Sequence, residues 1–101
     1  MTAKHDEILK ELKKKYDELN YKWSLERDRF EAKAQHLSAE ARKQFEQTRE
    51  EFRKLRKDMK AKLVDLEVAS ENAWDDVKEG ADTAWNAMSK AFEKAAAHFK
   101  K

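Results

Sequence analysis

The stretch Leu9-Lys10-Glu11-Leu12-Lys13-Lys14-Lys15-Tyr16-Asp17-Glu18-Leu19-Asn20-Tyr21-Lys22-Trp23 sets its main apolar residues at 9, 12, 16, 19 and 23. Steps of three and four residues put side chains on one face of an α-helix. The same line continues outward through Phe30, Leu37, Phe45, Phe52, Leu55, Met59, Leu63, Leu66, Trp74, Val77, Met88, Phe92 and Phe99. At 100° per residue their phases stay within about 120°, the width of an amphipathic stripe. From Leu12 to Phe99 the stripe takes 24 steps over 87 positions. That is about 3.6 residues per step, the period of a straight helix. A strict heptad repeat would average 3.5 and impose a left-handed supercoil, so only weak supercoiling is expected.

Composition agrees with this reading. Of 101 residues, 44% are charged, one is Gly, none is Pro and none is Cys. Fifteen of the hydrophobic residues are Ala, which leaves few large side chains for a compact core of ordinary size. Disorder is disfavoured because it requires high net charge as well as low hydrophobicity, and 23 basic against 21 acidic residues leave only +2. Acid-first pairs at i,i+4, such as Asp6 with Lys10, Glu11 with Lys15, Glu18 with Lys22, Glu50 with Lys54 and Asp58 with Lys62, are placed to support helix locally. The expected fold class is all-α: a long amphipathic helix with a C-terminal helical segment, assembled as a coiled-coil or helical-bundle oligomer.

Punctuation is sparse. The stripe weakens at Glu26/Arg27, Thr48 and Ser70. Ser38 before Ala39-Glu40-Ala41 and Ser70 before Glu71-Asn72-Ala73 have the form of helix N-caps with an acid in the first turn. Breaks there would give three pieces and a spectrin-like three-helix bundle, yet neither site has the Gly or Pro that commonly marks a reversal. Gly80 is the strongest breaker, at about 1 kcal/mol in a helix interior. The division expected is therefore 1–79, a charged long helix, and 80–101, an Ala/Trp/Phe-rich amphipathic tail, with Gly80 either a hinge or a point inside a continuous helix, since the stripe keeps its phase across it. Residues 1–69 carry 18 basic and 15 acidic side chains, residues 70–101 carry five and six.

Residues 70–99, with Ala73-Trp74, Gly80, Ala84-Trp85 and spaced Ala and Phe beyond, resemble a group of small bacterial coiled-coil proteins in which a charged helix precedes such a tail. The resemblance implies a helical coiled-coil fold and carries over no established activity. More distantly the Ala-rich amphipathic repeats are similar to those of exchangeable apolipoproteins and phasins, which implies reversible binding to a lipid or polymer surface.

Catalytic chemistry finds little support in the sequence. His5, His36 and His98 lie 31 and 62 residues apart, without zinc-type spacing, and read as solvated surface histidines. Asp75 and Asp76 read as acids near a helix start rather than a dyad. Ser24, Ser38, Ser70 and Ser89 have no nucleophile elbow around them, and one Gly makes no phosphate loop. No cofactor and no metal site is expected, and the protein reads as a non-enzyme. Residues 42–62 carry nine basic and four acidic side chains, and Arg49, Arg53, Arg56 and Lys60 share a helix face. That face suits phosphates, although the interleaved acids favour a solvated flank over nucleic-acid binding.

The function expected is helical interaction or scaffolding through the stripe, with Tyr16, Trp23, Phe30, Leu37, Phe45, Phe52, Met59, Leu66, Trp74, Trp85, Met88, Phe92 and Phe99 as the interaction face. A bare stripe of this length exceeds what monomers expose, so a homo-oligomer is the expected partner state, beside a protein partner. Tyr21 and Leu25, off the stripe, would lie level with Val68 and Val64 in an antiparallel arrangement centred near residues 44–45, with two chains preferred to one folded back. The alternative is lipid or polymer surface binding by the tail, where Lys90, Lys94, Lys100 and Lys101 would meet anionic groups while Asp75, Asp76, Glu79 and Asp82 oppose them. No apolar run is long enough to span a membrane, and a cytoplasmic location is the default expectation.

Overall fold

A computed structural model describes residues 3–99, the side chains of His98 and Phe99 excepted. Three α-helices follow one another: α1 (Ala3–Lys33), α2 (Ala39–Val68) and α3 (Glu71–Phe99), with a single 3₁₀ turn, Ala34–His36, after α1. The fold is all-α, as the stripe predicts. Each helix is 29 to 31 residues long, about 45 Å at 1.5 Å per residue. The Cα envelope measures 53 × 17 × 17 Å. The chain is therefore folded back on itself twice into an elongated three-helix bundle.

The breaks fall at the two serines. Ser38 is extended (φ −66°, ψ 160°), and its hydroxyl accepts a hydrogen bond from the Ala41 N–H at 3.1 Å. Ser70 Oγ accepts in the same way from Ala73 N–H at 3.3 Å. Each hydroxyl satisfies one of the N–H groups that a helix start leaves without a partner. At the end of α1, Arg42 Nε and Nη2 both donate to the Ala34 carbonyl, at 2.9 and 2.5 Å, serving a carbonyl that a C-terminal Gly motif often satisfies through backbone. No described residue has positive φ. Leu37 and Ala69 are extended like Ser38, so the reversals need neither Gly nor Pro.

Gly80 is not a hinge. It lies inside α3, which runs without interruption from Glu71 to Phe99, and the boundary placed at 79/80 is not a helix boundary. Helix α3 carries Gly80 because burial of its apolar face outweighs a propensity loss of about 1 kcal/mol.

The stripe lines the inside. Leu9, Leu12, Leu19 and Trp23 of α1, Phe45, Phe52, Met59, Leu63 and Leu66 of α2, and Trp74, Ala81, Ala84, Met88, Ala91 and Ala95 of α3 make one buried core. The alanines matter for spacing, since interaxial distance follows the side chains at the contact. The backbones of α2 and α3 approach one another most closely. Helix α1 packs on α2 through rings: Trp23 stacks on Phe52 with centroids 4.4 Å apart, and Phe30 on Phe45 at 3.6 Å. Tyr16 Oη donates to the Arg56 carbonyl at 3.3 Å, and Lys13 pairs with Glu67. These contacts make α1 and α2 antiparallel, centred near residues 37–38.

That centre differs from the one at 44–45 that the secondary apolar residues suggest, and Lys43–Glu46 lies within α2. Leu25 is level with the part of α2 between Phe45 and Phe52, while Val64 lies toward the Lys13 end. The two patches therefore do not cover each other within the chain. None of the five acid-first i,i+4 pairs closes to ion-pair distance among the described residues. The local pairs that form are Arg29–Glu26, Arg49–Glu46 and Lys78–Asp82, with a long Arg27–Asp28 contact.

Candidate interaction surfaces

The bundle brings most of the expected interaction face together, against its own chain. Trp23, Phe45, Phe52, Met59, Leu66, Trp74 and Met88 are buried, and Tyr16, Phe30, Trp85 and Phe92 are half-buried against them. Leu37 sits half-buried in the α1–α2 connection. The Phe99 side chain lies outside the described residues, as do Lys100 and Lys101.

The points where the stripe weakens each acquire a local role. Glu26 pairs with Arg29 at 3.2 Å. Thr48 Oγ1 donates back to the Gln44 carbonyl at 2.9 Å, and Ser70 caps α3. Arg27 points into a groove between α1 and α2. Polar residues on the seam therefore occur where the chain turns, where a hydroxyl can serve its own helix, or where the seam opens to solvent.

That groove is a cavity of the described surface. About 340 Å³ in volume, it has Trp23 and Phe52 beneath it and Arg27, Arg49, Arg53 and Arg56 along it, with Glu31 and Glu50 also present. Three of these arginines belong to the basic face read from the sequence; Lys60 does not line the groove. Arg27 comes from the other helix and was not legible as part of that face. Its sequence signal is indirect: a charged residue standing in an otherwise apolar stripe.

Apolar side chains are also exposed at two separate places. Tyr21 and Leu25 on α1 and Val64 and Val68 on α2 remain 66%, 41%, 49% and 78% exposed, because their helical phases point them away from the core. His5 departs from the sequence reading. It is half-buried and stacks on Trp74, with ring centroids 3.9 Å apart and planes within 3°, while His36 is exposed. Asp75 and Asp76 are exposed in the second turn of α3, whose first turn carries Glu71. Among the described residues no group of His, Cys, Asp and Glu is placed to hold a metal, and no helix is long and apolar enough to cross a membrane.

Among the described residues, fold and surfaces define a three-helix bundle with an arginine-lined groove and apolar side chains exposed at two places. No protein-family model, curated protein or solved structure matches the chain.

Proposed function

We propose that this chain is a non-enzymatic helical interaction protein that offers its apolar stripe to a second copy of itself, or to a partner helix, by opening at its short connections. One observation carries the reading: the stripe keeps its helical phase through both reversals. Each reversal rests on one or two extended residues, Leu37 and Ser38 at the first and Ala69 at the second. Returning those residues to helical dihedrals makes two neighbouring helices one, with every core residue still on a single face. Short connections that can straighten favour exchange of elements between copies. An exchanged antiparallel assembly reuses the contacts already made in the monomer, so little separates the two states apart from the caps and the cost of association.

Light scattering and sedimentation after refolding at micromolar and at millimolar chain concentration test this. A concentration-dependent dimer of unchanged helicity is expected, and Ser38→Ala/Ser70→Ala, which removes both caps, raises the dimer fraction. A monomer throughout, in both proteins, refutes it.

A second reading has its own observation. Val77, Trp85 and Phe92 lie along α3 at the edge of the core, only partly buried, and Lys90 and Lys94 are exposed on the same helix. Rings on one face of a helix and lysines on the other suit a lipid interface, and α3 then binds a lipid or polymer surface reversibly. Exposed Asp75, Asp76 and Glu79 oppose anionic surfaces. Tryptophan fluorescence with anionic vesicles is expected to shift blue, and no shift beyond that of self-association refutes this reading.

A further inference from the structure

We propose that the groove between α1 and α2 is a binding site for a small, multiply charged phosphate anion, a chain of two or three linked phosphates. The inference does not rest on the self-association reading above. Four arginines from two helices line the groove. Arg49, Arg53 and Arg56 follow one another along one face of α2 and span about 10 Å at 1.5 Å per residue. Arg27 faces them from α1, a turn beyond Trp23, whose stacking on Phe52 sets the level of the two helices.

The arginines there are not all held by carboxylates. Arg53 and Arg56 form no ion pair among the described residues, Arg49 holds Glu46 at 2.6 Å, and Arg27 reaches Asp28 only at 3.6 Å. Glu31 and Glu50 line the same groove without pairing to any of the four. With Asp28 and Glu46 at two of the arginines and Glu31 and Glu50 in the lining, Arg53 and Arg56 are the two that stand without an ion pair above the buried rings of Trp23 and Phe52. An anion that reaches Arg53 and Arg56 accepts charge-assisted hydrogen bonds from guanidinium groups that no carboxylate holds. Planar guanidinium forks match phosphate oxygens in pairs.

The surroundings select size. A volume near 340 Å³ falls in the range of small-molecule sites. A longer polyanion would leave the groove and meet the exposed carboxylates Glu51 and Asp58 on the same helix. A nucleic-acid backbone is therefore disfavoured against a short oligophosphate.

Calorimetric titration with inorganic tripolyphosphate tests the site, with orthophosphate and a single-stranded RNA as further arms and ¹⁵N spectra of the arginine Nε groups as a second readout. Saturable one-to-one binding is expected, with shifts confined to Arg27, Arg49, Arg53 and Arg56. Arg53→Gln/Arg56→Gln weakens it by at least about tenfold, the equivalent of about 1.4 kcal/mol. Arg53→Lys/Arg56→Lys, which keeps charge but loses the forks, weakens it less, and decides the matter if the Gln variant does not fold. Lys10→Gln/Lys14→Gln, an equal loss of charge on exposed positions of α1, leaves binding unchanged. Equal weakening by the lysine variant, orthophosphate binding as tight as tripolyphosphate, or RNA binding without tripolyphosphate binding each overturns the proposal.

Discussion

Replacing Gly80 with alanine is expected to stabilise the protein, and the amount follows from three features of its position. Gly80 is interior to α3, so its backbone freedom is lost on folding without return. Its φ is not positive, so an L side chain is not strained there. A Cβ built on it meets only the Lys62 Cδ and Cε atoms at 3.9 Å, ordinary van der Waals contact with a flexible stem. Nothing must move to accept the methyl group. The gain is then close to the Gly–Ala propensity difference, about 0.5–1 kcal/mol. With an unfolding entropy of about 2.1 cal/mol/K per residue, Tm rises by roughly 2–5 °C. Urea denaturation followed by circular dichroism at 222 nm gives the free energy, and a thermal scan gives the shift. Gly80→Pro, which removes a helix hydrogen bond, is expected to cost about 3 kcal/mol or more. An alanine variant less stable than the parent would refute the reasoning, because it would mean that Gly80 serves a bend or a close approach that a continuous α3 does not contain.

Phe52→Ala removes a fully buried ring stacked on Trp23 and is expected to cost about 3–5 kcal/mol by the same urea assay. A loss under about 1 kcal/mol would place Phe52 outside the core. Ser70→Ala deletes the cap of α3 and is expected to cost about 1 kcal/mol, with hydrogen exchange rising first at Ala73; unchanged exchange there would argue against the cap. The Lys13–Glu67 pair ties α1 to α2 with both side chains about half exposed. A double-mutant cycle is expected to return less than about 1 kcal/mol for it, and a larger coupling would show the pair to be shielded from solvent.

The helical period of Leu9, Leu12, Tyr16, Leu19 and Trp23 and the absence of Pro settle that the chain is helical and which face is apolar, because both are properties of neighbours along one helix. Most residues of that face are core residues in the bundle. Even the capping form of Ser38 and Ser70 is local and was readable. Whether those caps end a helix was not. A serine can cap a new helix or stay inside a longer one, and the difference lies in what the stripe gains by folding onto itself. That gain depends on residues far apart in sequence: rings of α1 stacking on rings of α2, and the small Ala81, Ala84, Ala91 and Ala95 admitting α2 close to α3. For the same reason Gly80, the strongest local signal, marks no boundary, since local propensity is worth about 1 kcal/mol and a buried face is worth several times more. Arg27 joins Arg49, Arg53 and Arg56 only because Trp23 on Phe52 and Phe30 on Phe45 fix how the first two helices slide past each other. Periodicity along a chain carries the phase of each helix but not the relative height of two helices; side-chain packing between them decides it.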